Sequence, residues 1–311
     1  MTTPTPKTEG LTVAPAKGIS AWVRLLRVRQ WTKNLLVFAA ALFTGQITQG
    51  GIALRVLLGF AAMCFISSAV YIFNDLRDIE LDRSHARKRH RPLASGAIKP
   101  LHAGILAVLL VVGGLGLAFW LNRWSLIVGV TYLALQVLYN LWLKHEPVAD
   151  IFCISVGFVL RAVLGAVVIS VTISPWLLFC TGSLALMLGF AKRRQEFLNE
   201  GPDAKTRPSL ASYTKDALDR FVVVFATSSL LCYGLYCIES TTAKQHPGLA
   251  ATAIFVAYGV CRYLLIVFGS KEGEEPETLL FSDRRLLLSV VLFMLTAAIA
   301  VLSPQYSGVL K

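Results

Sequence analysis

The sequence predicts an all-α, polytopic membrane protein: about nine transmembrane helices in one bundle, with a site facing the cytoplasm. Three observations predict it. Hydrophobic residues make up 55% of the 311 and charged residues only 15%, and mean hydropathy is +0.63, outside the range of water-soluble domains. Apolar stretches of roughly 20 residues, the length that crosses a bilayer, recur along the chain. Basic residues gather in alternate connections, the asymmetry that orients membrane proteins.

Residues 1–20 are polar and rich in Pro and Thr, which predicts a disordered tail without a cleaved leader. Residues 21–311 then form a single transmembrane domain. Spans are expected near 34–48, 52–74, 102–122, 124–143, 148–170, 174–191, 217–238, 248–268 and 285–303. With the N-terminus inside, the inner segments carry Arg24, Arg27, Arg29 and Lys33, then Arg77 through Lys99, Lys144, Lys192 to Lys215, and Lys271 with Arg284 and Arg285. The outer segments hold Arg55, Arg123, Lys244 and Lys311. The cell membrane is therefore the expected location, with N-terminus and site cytoplasmic.

The net charge of +12 follows from these topology signals and from contact with anionic headgroups. It does not indicate nucleic-acid binding, because no soluble basic domain carries it. Cysteines 64, 153, 180, 232, 237 and 261 lie in apolar segments without CxxC or Cys/His clustering, so they read as small core residues.

Three inner connections exceed what a linker needs: 75–101, 192–216 and 269–284. The first holds the most informative run in the chain, Asn74-Asp75-Leu76-Arg77-Asp78-Ile79-Glu80-Leu81-Asp82, followed by the basic residues Arg83 to Arg91. On a continuing helix Asn74, Asp78 and Asp82 share one face. Hard oxygen ligands in that arrangement suit Mg²⁺, which takes one or two carboxylates and leaves other positions to water and substrate phosphate. Adjacent cations suit the remaining oxygens of a diphosphate. The third connection, with Glu272, Glu274, Glu275 and Glu277, reads as a solvated cap.

Polar residues inside the spans extend this site, because lipid makes them expensive. Ser67, Tyr71, Asn74 and Asp78 form one stripe, while Gln136, Tyr139 and Asn140 share a face leading to Lys144. Arg161 sits midway along the fifth span, where a charge costs at least ~2.5 kcal/mol and should face a cavity or a partner. An ion pair with Asp150 is the structural alternative. Arg262 is nearer a span end and can snorkel.

Asn-Asp-x-x-Asp-x-x-x-Asp after a second span resembles the UbiA superfamily of intramembrane prenyltransferases. Further motifs resemble the branch of that superfamily that transfers phosphoribose to decaprenyl phosphate. They are Arg29-Gln30-Trp31-Thr32-Lys33-Asn34, Lys88-Arg89-x-Arg91-Pro92, Leu143-Lys144-His145, Leu160-Arg161-Ala162, Lys192-Arg193-x-x-Glu196 and Ser209-Leu210-x-x-Tyr213-Thr214. Aromatic prenyltransferases of the superfamily carry a second Asp-rich motif after the sixth span. Here that place holds Lys192-Arg193-Arg194-Gln195-Glu196, basic instead of acidic. Direct cations suit a donor with a second phosphate, although the same residues also serve as membrane anchors.

The resemblance implies transfer of 5-phosphoribose from 5-phosphoribosyl 1-diphosphate to a polyprenyl phosphate, with Mg²⁺ as cofactor. It places the metal on Asn74, Asp78 and Asp82, with Asp75 orienting a cation. Phosphoryl oxygens fall to Lys33, Lys88 and Arg91, and Tyr71 lines the donor pocket. Gln136, Tyr139 and Lys144 form the opposite wall, and Arg161, Lys192 and Arg193 serve the second phosphate. A homo-oligomer is compatible with this reading. The alternatives are prenyl transfer to an aromatic acceptor and a transporter without chemistry.

Overall fold

In lipid every backbone polar group must be satisfied within the segment, so apolar runs of this length fold as helices. The computed structural model describes residues 18–85, 88–201, 208–269, 279 and 282–303. Residues 1–17, Arg207 and the acidic run 271–277 lie outside them. Among the described residues the long helices are α3 (Gly50–Arg77), α5 (Pro100–Leu121), α6 (Arg123–Leu141), α7 (Ala149–Val168), α8 (Pro175–Glu200), α9 (Lys215–Glu239), α11 (Thr252–Gly269) and α12 (Arg284–Leu302). Shorter ones are α1 (Ile19–Leu26), α2 (Ala39–Phe43), α4 (Ile79–Ser84) and α10 (Thr241–Gln245). The expected tail boundary therefore moves, since Ile19 and Ser20 already belong to a helix.

Start signals match these ends. Proline opens α5 and α8, where its missing N–H costs nothing. Asn122, Thr214 and Asp283 accept from the backbone N–H groups of Ser125, Ala217 and Leu286, capping α6, α9 and α12. At the far end from Asp78, Arg55 donates to the C=O groups of Val168 and Leu121, satisfying the last turns of two helices at once.

Eight helices, not nine, are long and apolar enough to cross a membrane among the described residues. The difference is the segment expected at 34–48. It crosses the bundle as a 3₁₀ helix (Val28–Phe38), then α2, then a 3₁₀ turn (Gln46–Thr48). Arg27 meets Asp75 at one end of the bundle, and Gly45 abuts Val301 at the other. Its backbone lies directly against α7: a Cβ on Gly165 would stand 2.0 Å from the Val37 carbonyl oxygen. Only glycine allows that approach, as small residues do at membrane helix contacts. Gly114 likewise lets α5 touch α3 at Ile66 and Ala62.

Two of the packed groups in the interior meet at α7. Val37, Val56, Met63, Ile66, Leu164 and Val168 join the first segment, α3 and α7. Ile151, Met187, Phe190, Leu218, Val222 and Tyr263 join α7, α8, α9 and α11. Helix α7 belongs to both, which makes it the central post. The outer face of α5 (Leu101, Val108, Leu109, Val112, Phe119, Trp120) is exposed and, beyond His102 in its first turn, apolar, as a lipid-facing surface requires.

Candidate active site

The acidic run sits where α3 stops. The helix ends at Arg77, Asp78 leaves helical geometry with φ −96° and ψ 13°, and α4 begins at Ile79. The hydrogen bonds Asp78 N–H to Asn74 C=O and Asp82 N–H to Asp78 C=O persist at 3.0 and 2.8 Å, so the turns stay stacked across a kink. The kink separates the three residues expected on one face.

Asp78 meets Lys144, whose Nζ lies 3.3 and 3.4 Å from its carboxylate oxygens. Lys144 comes from a 3₁₀ turn (Leu143–His145) between α6 and α7. Asp82 turns the other way. It is 2% exposed and bound at 2.7 Å by Arg91, which also holds Asp75 at 3.1 Å. Arg27 closes this cluster, 2.5 Å from Asp75 and with its guanidinium 4.7 Å above the Tyr71 ring. Asp75 thus pairs with Arg27 and Arg91, and Asp82, expected as a metal ligand, pairs with Arg91.

Of the three residues expected to hold a divalent cation, Asn74 and Asp78 are the two not enclosed by the Arg91 ion pairs. Both are half-buried, one turn apart, and the lysine contacts on Asp78 are long. No group of three His, Cys, Asp or Glu side chains gathers as a metal cage among the described residues. A donor set this sparse fits Mg²⁺, which keeps several positions for water and substrate phosphate.

Arg161 is fully engaged in the interior. Nε donates to Asn34 Oδ1 at 2.8 Å, Nη1 to the Gly157 carbonyl at 2.8 Å and Nη2 to the Tyr132 hydroxyl at 2.7 Å. The rings of Tyr132 and Phe158 flank it at 4.9 and 5.2 Å. Asn34 is completely buried and passes the network to Ser67 and Cys64 on α3. The expected partner Asp150 is not involved. Arg161, expected at the second phosphate, here pins the irregular first segment to α3, α6 and α7. Gln136 packs beside it, its Nε2 3.1 Å from where a Gly157 Cβ would stand.

The basic run after the sixth span is still helical, because α8 continues to Glu200. Successive side chains on a helix diverge by about 100°. Lys192 is exposed, while Arg193 and Arg194 point inward. Arg193 binds Asp150 at 2.9 Å and Glu196 at 2.6 Å; Arg194 binds Asp219, and the Val267 carbonyl at 2.8 Å. Arg193, expected at the second phosphate, here links α7 to α8 through Asp150.

The other expected residues are half-buried: Lys33 on the 3₁₀ segment, Tyr71 on α3, Lys88 in a 3₁₀ turn (Lys88–His90) and Tyr139 on α6. Sequence reasoning gave no role to Arg27, Arg77, Asn34 or Tyr132. Arg77 donates to the Asn140 carbonyl, tying α3 to α6 beside Lys144. Their signal was position: Arg77 lies inside the acidic motif, and Asn34 ends a motif otherwise read for its cations.

Comparison with known proteins agrees with this architecture. Residues 34–284 match the UbiA prenyltransferase family. The chain is 37% identical over 288 residues to decaprenyl-phosphate phosphoribosyltransferase of Mycolicibacterium smegmatis, covering 88% of this chain and 90% of that protein. It is 36% identical over 299 residues to the protein of the same description from Mycobacterium tuberculosis, covering 94% and 97%. A UbiA homologue from Archaeoglobus fulgidus, solved with GPP and Mg²⁺, superposes with a TM-score of 0.70 at 18% identity, over 91% of this chain and 99% of that one. This chain belongs to the UbiA prenyltransferase family and is a multi-pass membrane transferase of it.

Proposed function

We propose that this transferase moves 5-phosphoribose from 5-phosphoribosyl 1-diphosphate to a polyprenyl phosphate, releasing diphosphate, at the cytoplasmic membrane face. The observation that carries the reading is its similarity, nearly end to end, to decaprenyl-phosphate phosphoribosyltransferases. The geometry supports it in one respect. The end of α8 offers the exposed Lys192 and ion-paired arginines, not a second set of open carboxylates. A donor with a phosphate at each end of a sugar is served by cations there.

Asn74 and Asp78 would hold Mg²⁺, which when bound neutralises charge on the diphosphate that leaves. Lys144, beside Asp78, takes a phosphoryl oxygen of the same group. Arg91 contributes from the other side of the kink; among the described residues only its Nη1 is engaged, so the rest of the guanidinium is available. Lys33 and Lys88 add charge at the rim, and Tyr71 and Tyr139 line the walls.

An oxygen of the acceptor phosphate forms the new bond to the ribose C1. The C1–O bond to diphosphate breaks, and its electron pair leaves with diphosphate. The acceptor is already an anion at neutral pH, so no general base is required. The protein's task is to hold two polyanions together and stabilise the departing charge. The concentration of Arg and Lys at the Asp78 end supports a cytoplasmic site.

The test is turnover of radiolabelled phosphoribosyl diphosphate by purified protein with a polyprenyl phosphate and Mg²⁺. Lipid-extractable label that disappears with chelator supports the reading. Absence of that product, with activity on prenyl diphosphate and an aromatic acid, replaces it with prenyl transfer.

A further inference from the structure

Between Lys144 and α7 the backbone does something costly. Val148 has φ 67° and ψ −50°, and the Ala149 N–H donates to the Pro147 carbonyl at 2.7 Å. That is a γ-turn of the rare hand, strained for any L-residue and most of all for a β-branched one. Nothing in the local sequence favours it, since Gly or Asn would be the usual occupant of positive φ. Such strain persists only where surrounding contacts over-determine it.

One contact stands out. The Val148 N–H donates to the Tyr213 hydroxyl at 2.5 Å. Tyr213 follows the 3₁₀ turn Pro208–Ser212, is 5% exposed, and packs its ring into the core shared by α7, α8 and α9. The turn is also anchored on both sides: Lys144 to Asp78, and Asp150 to Arg193 at the end of α8. Only three residues separate Lys144 from Val148, so the direction of the chain at the turn sets where the lysine ammonium stands.

We propose that Tyr213 is a positioning residue: its hydroxyl holds the strained turn at Val148, and through it keeps Lys144 against Asp78. The inference rests on the functional reading above, in that Lys144 then serves the leaving diphosphate. Tyr213 itself touches no reacting atom. Relaxing the turn lets Lys144 withdraw, which slows transfer while leaving acceptor binding alone.

The experiment compares wild type, Tyr213→Phe, Val148→Gly and the double variant, each as full-length protein in lipid nanodiscs. Phenylalanine deletes only the hydroxyl and keeps the ring in the core. Glycine adopts the turn's φ without strain, so it removes the need for the clamp. Tyr213→Phe should speed hydrogen exchange across residues 144–149 but not along α3. It should lower kcat about tenfold, the effect of little more than one strained residue, with acceptor KM unchanged. Val148→Gly in the Phe background should return kcat to within about threefold of wild type. A merely structural role for the hydroxyl would not be rescued from position 148. Wild-type exchange and turnover in Tyr213→Phe would overturn the proposal, as would a loss that glycine does not restore. If wild type itself fails to use phosphoribosyl diphosphate, the functional reading falls. The exchange arm then decides the clamp alone, and unchanged exchange in Tyr213→Phe overturns it.

Discussion

Asp75 and Asp82 answer to the same guanidinium. Arg91 Nη1 lies 3.1 Å from Asp75 and 2.7 Å from Asp82, bridging the break between α3 and α4. Both carboxylates are almost wholly buried, while Asp78 between them is one-fifth exposed and faces Lys144. One acidic motif is thereby split into a buried pair held by Arg91 and a more exposed carboxylate beside Lys144.

The split predicts that only one of two losses of turnover also destabilises the fold. Asp78→Ala should lower turnover about 10²–10³-fold, the usual cost of losing one electrostatic stabiliser, with thermal unfolding unchanged. Arg91→Ala should cost about 3 kcal/mol, the lower end for breaking a buried pair, because Asp75 keeps Arg27. Unfolding curves of the two variants beside their turnover check both statements.

Neighbouring residues on α8 should separate in the same way. Lys192→Ala should raise the donor KM about tenfold, the loss of one charge-assisted contact, without moving the unfolding transition. Arg193→Ala should instead cost about 3–5 kcal/mol, because Asp150 is stranded as a buried charge. Donor titrations and thermal denaturation distinguish the outcomes.

Asn34 is the hinge of the internal network. Replacing it with Ala leaves Arg161 Nε without its acceptor, at about 1–3 kcal/mol for a buried polar group. The damage should be local. Hydrogen exchange should rise first in residues 28–38, which lack the regular hydrogen bonding of an α-helix, while α9 and α12 stay protected.

At the start of α12, Asp283 is held by the Arg262 guanidinium and by the Leu286 N–H, which lower its pKa from 3.8 to about 2. A carboxylate with a depressed folded pKa stabilises the fold above its unfolded value and loses that contribution as pH falls. The contact should therefore be complete above pH 3.8 and weaken as pH falls through about 2. Arg262→Ala should move the titration back up towards the ordinary value, read by NMR of ¹³C-labelled aspartate.

The α-helical class, the helices from 50 onward and the acidic motif were legible because each is a local property. Twenty apolar residues in lipid have little choice but helix, and a run such as Asn74 to Asp82 announces its chemistry by composition. The irregular form of the first segment was not legible for the same reason. Residues 34–48 are apolar enough to span, yet Gly165 draws Val37 onto α7 and Arg161 takes Asn34, contacts made 127–128 positions away. Likewise Lys192, Arg193 and Arg194 are equivalent cations until a helix turns one outward and two onto Asp150 and Asp219.

By itself, then, the sequence determined the solvent of this protein, its helices, the end of the bundle that carries charge and the pairing of Asn74 with Asp78 one turn apart. All of these follow from hydropathy and helical period, which act over neighbouring residues. Only the tertiary structure decided which charges are spent on one another. Asp82 goes to Arg91, Asp150 to Arg193, Arg161 to neutral partners, and Asp78 to Lys144 at the longer distance of 3.3 Å. A buried charge takes whatever partner the fold brings within reach, and that distance is set by packing between remote helices, not by spacing along the chain.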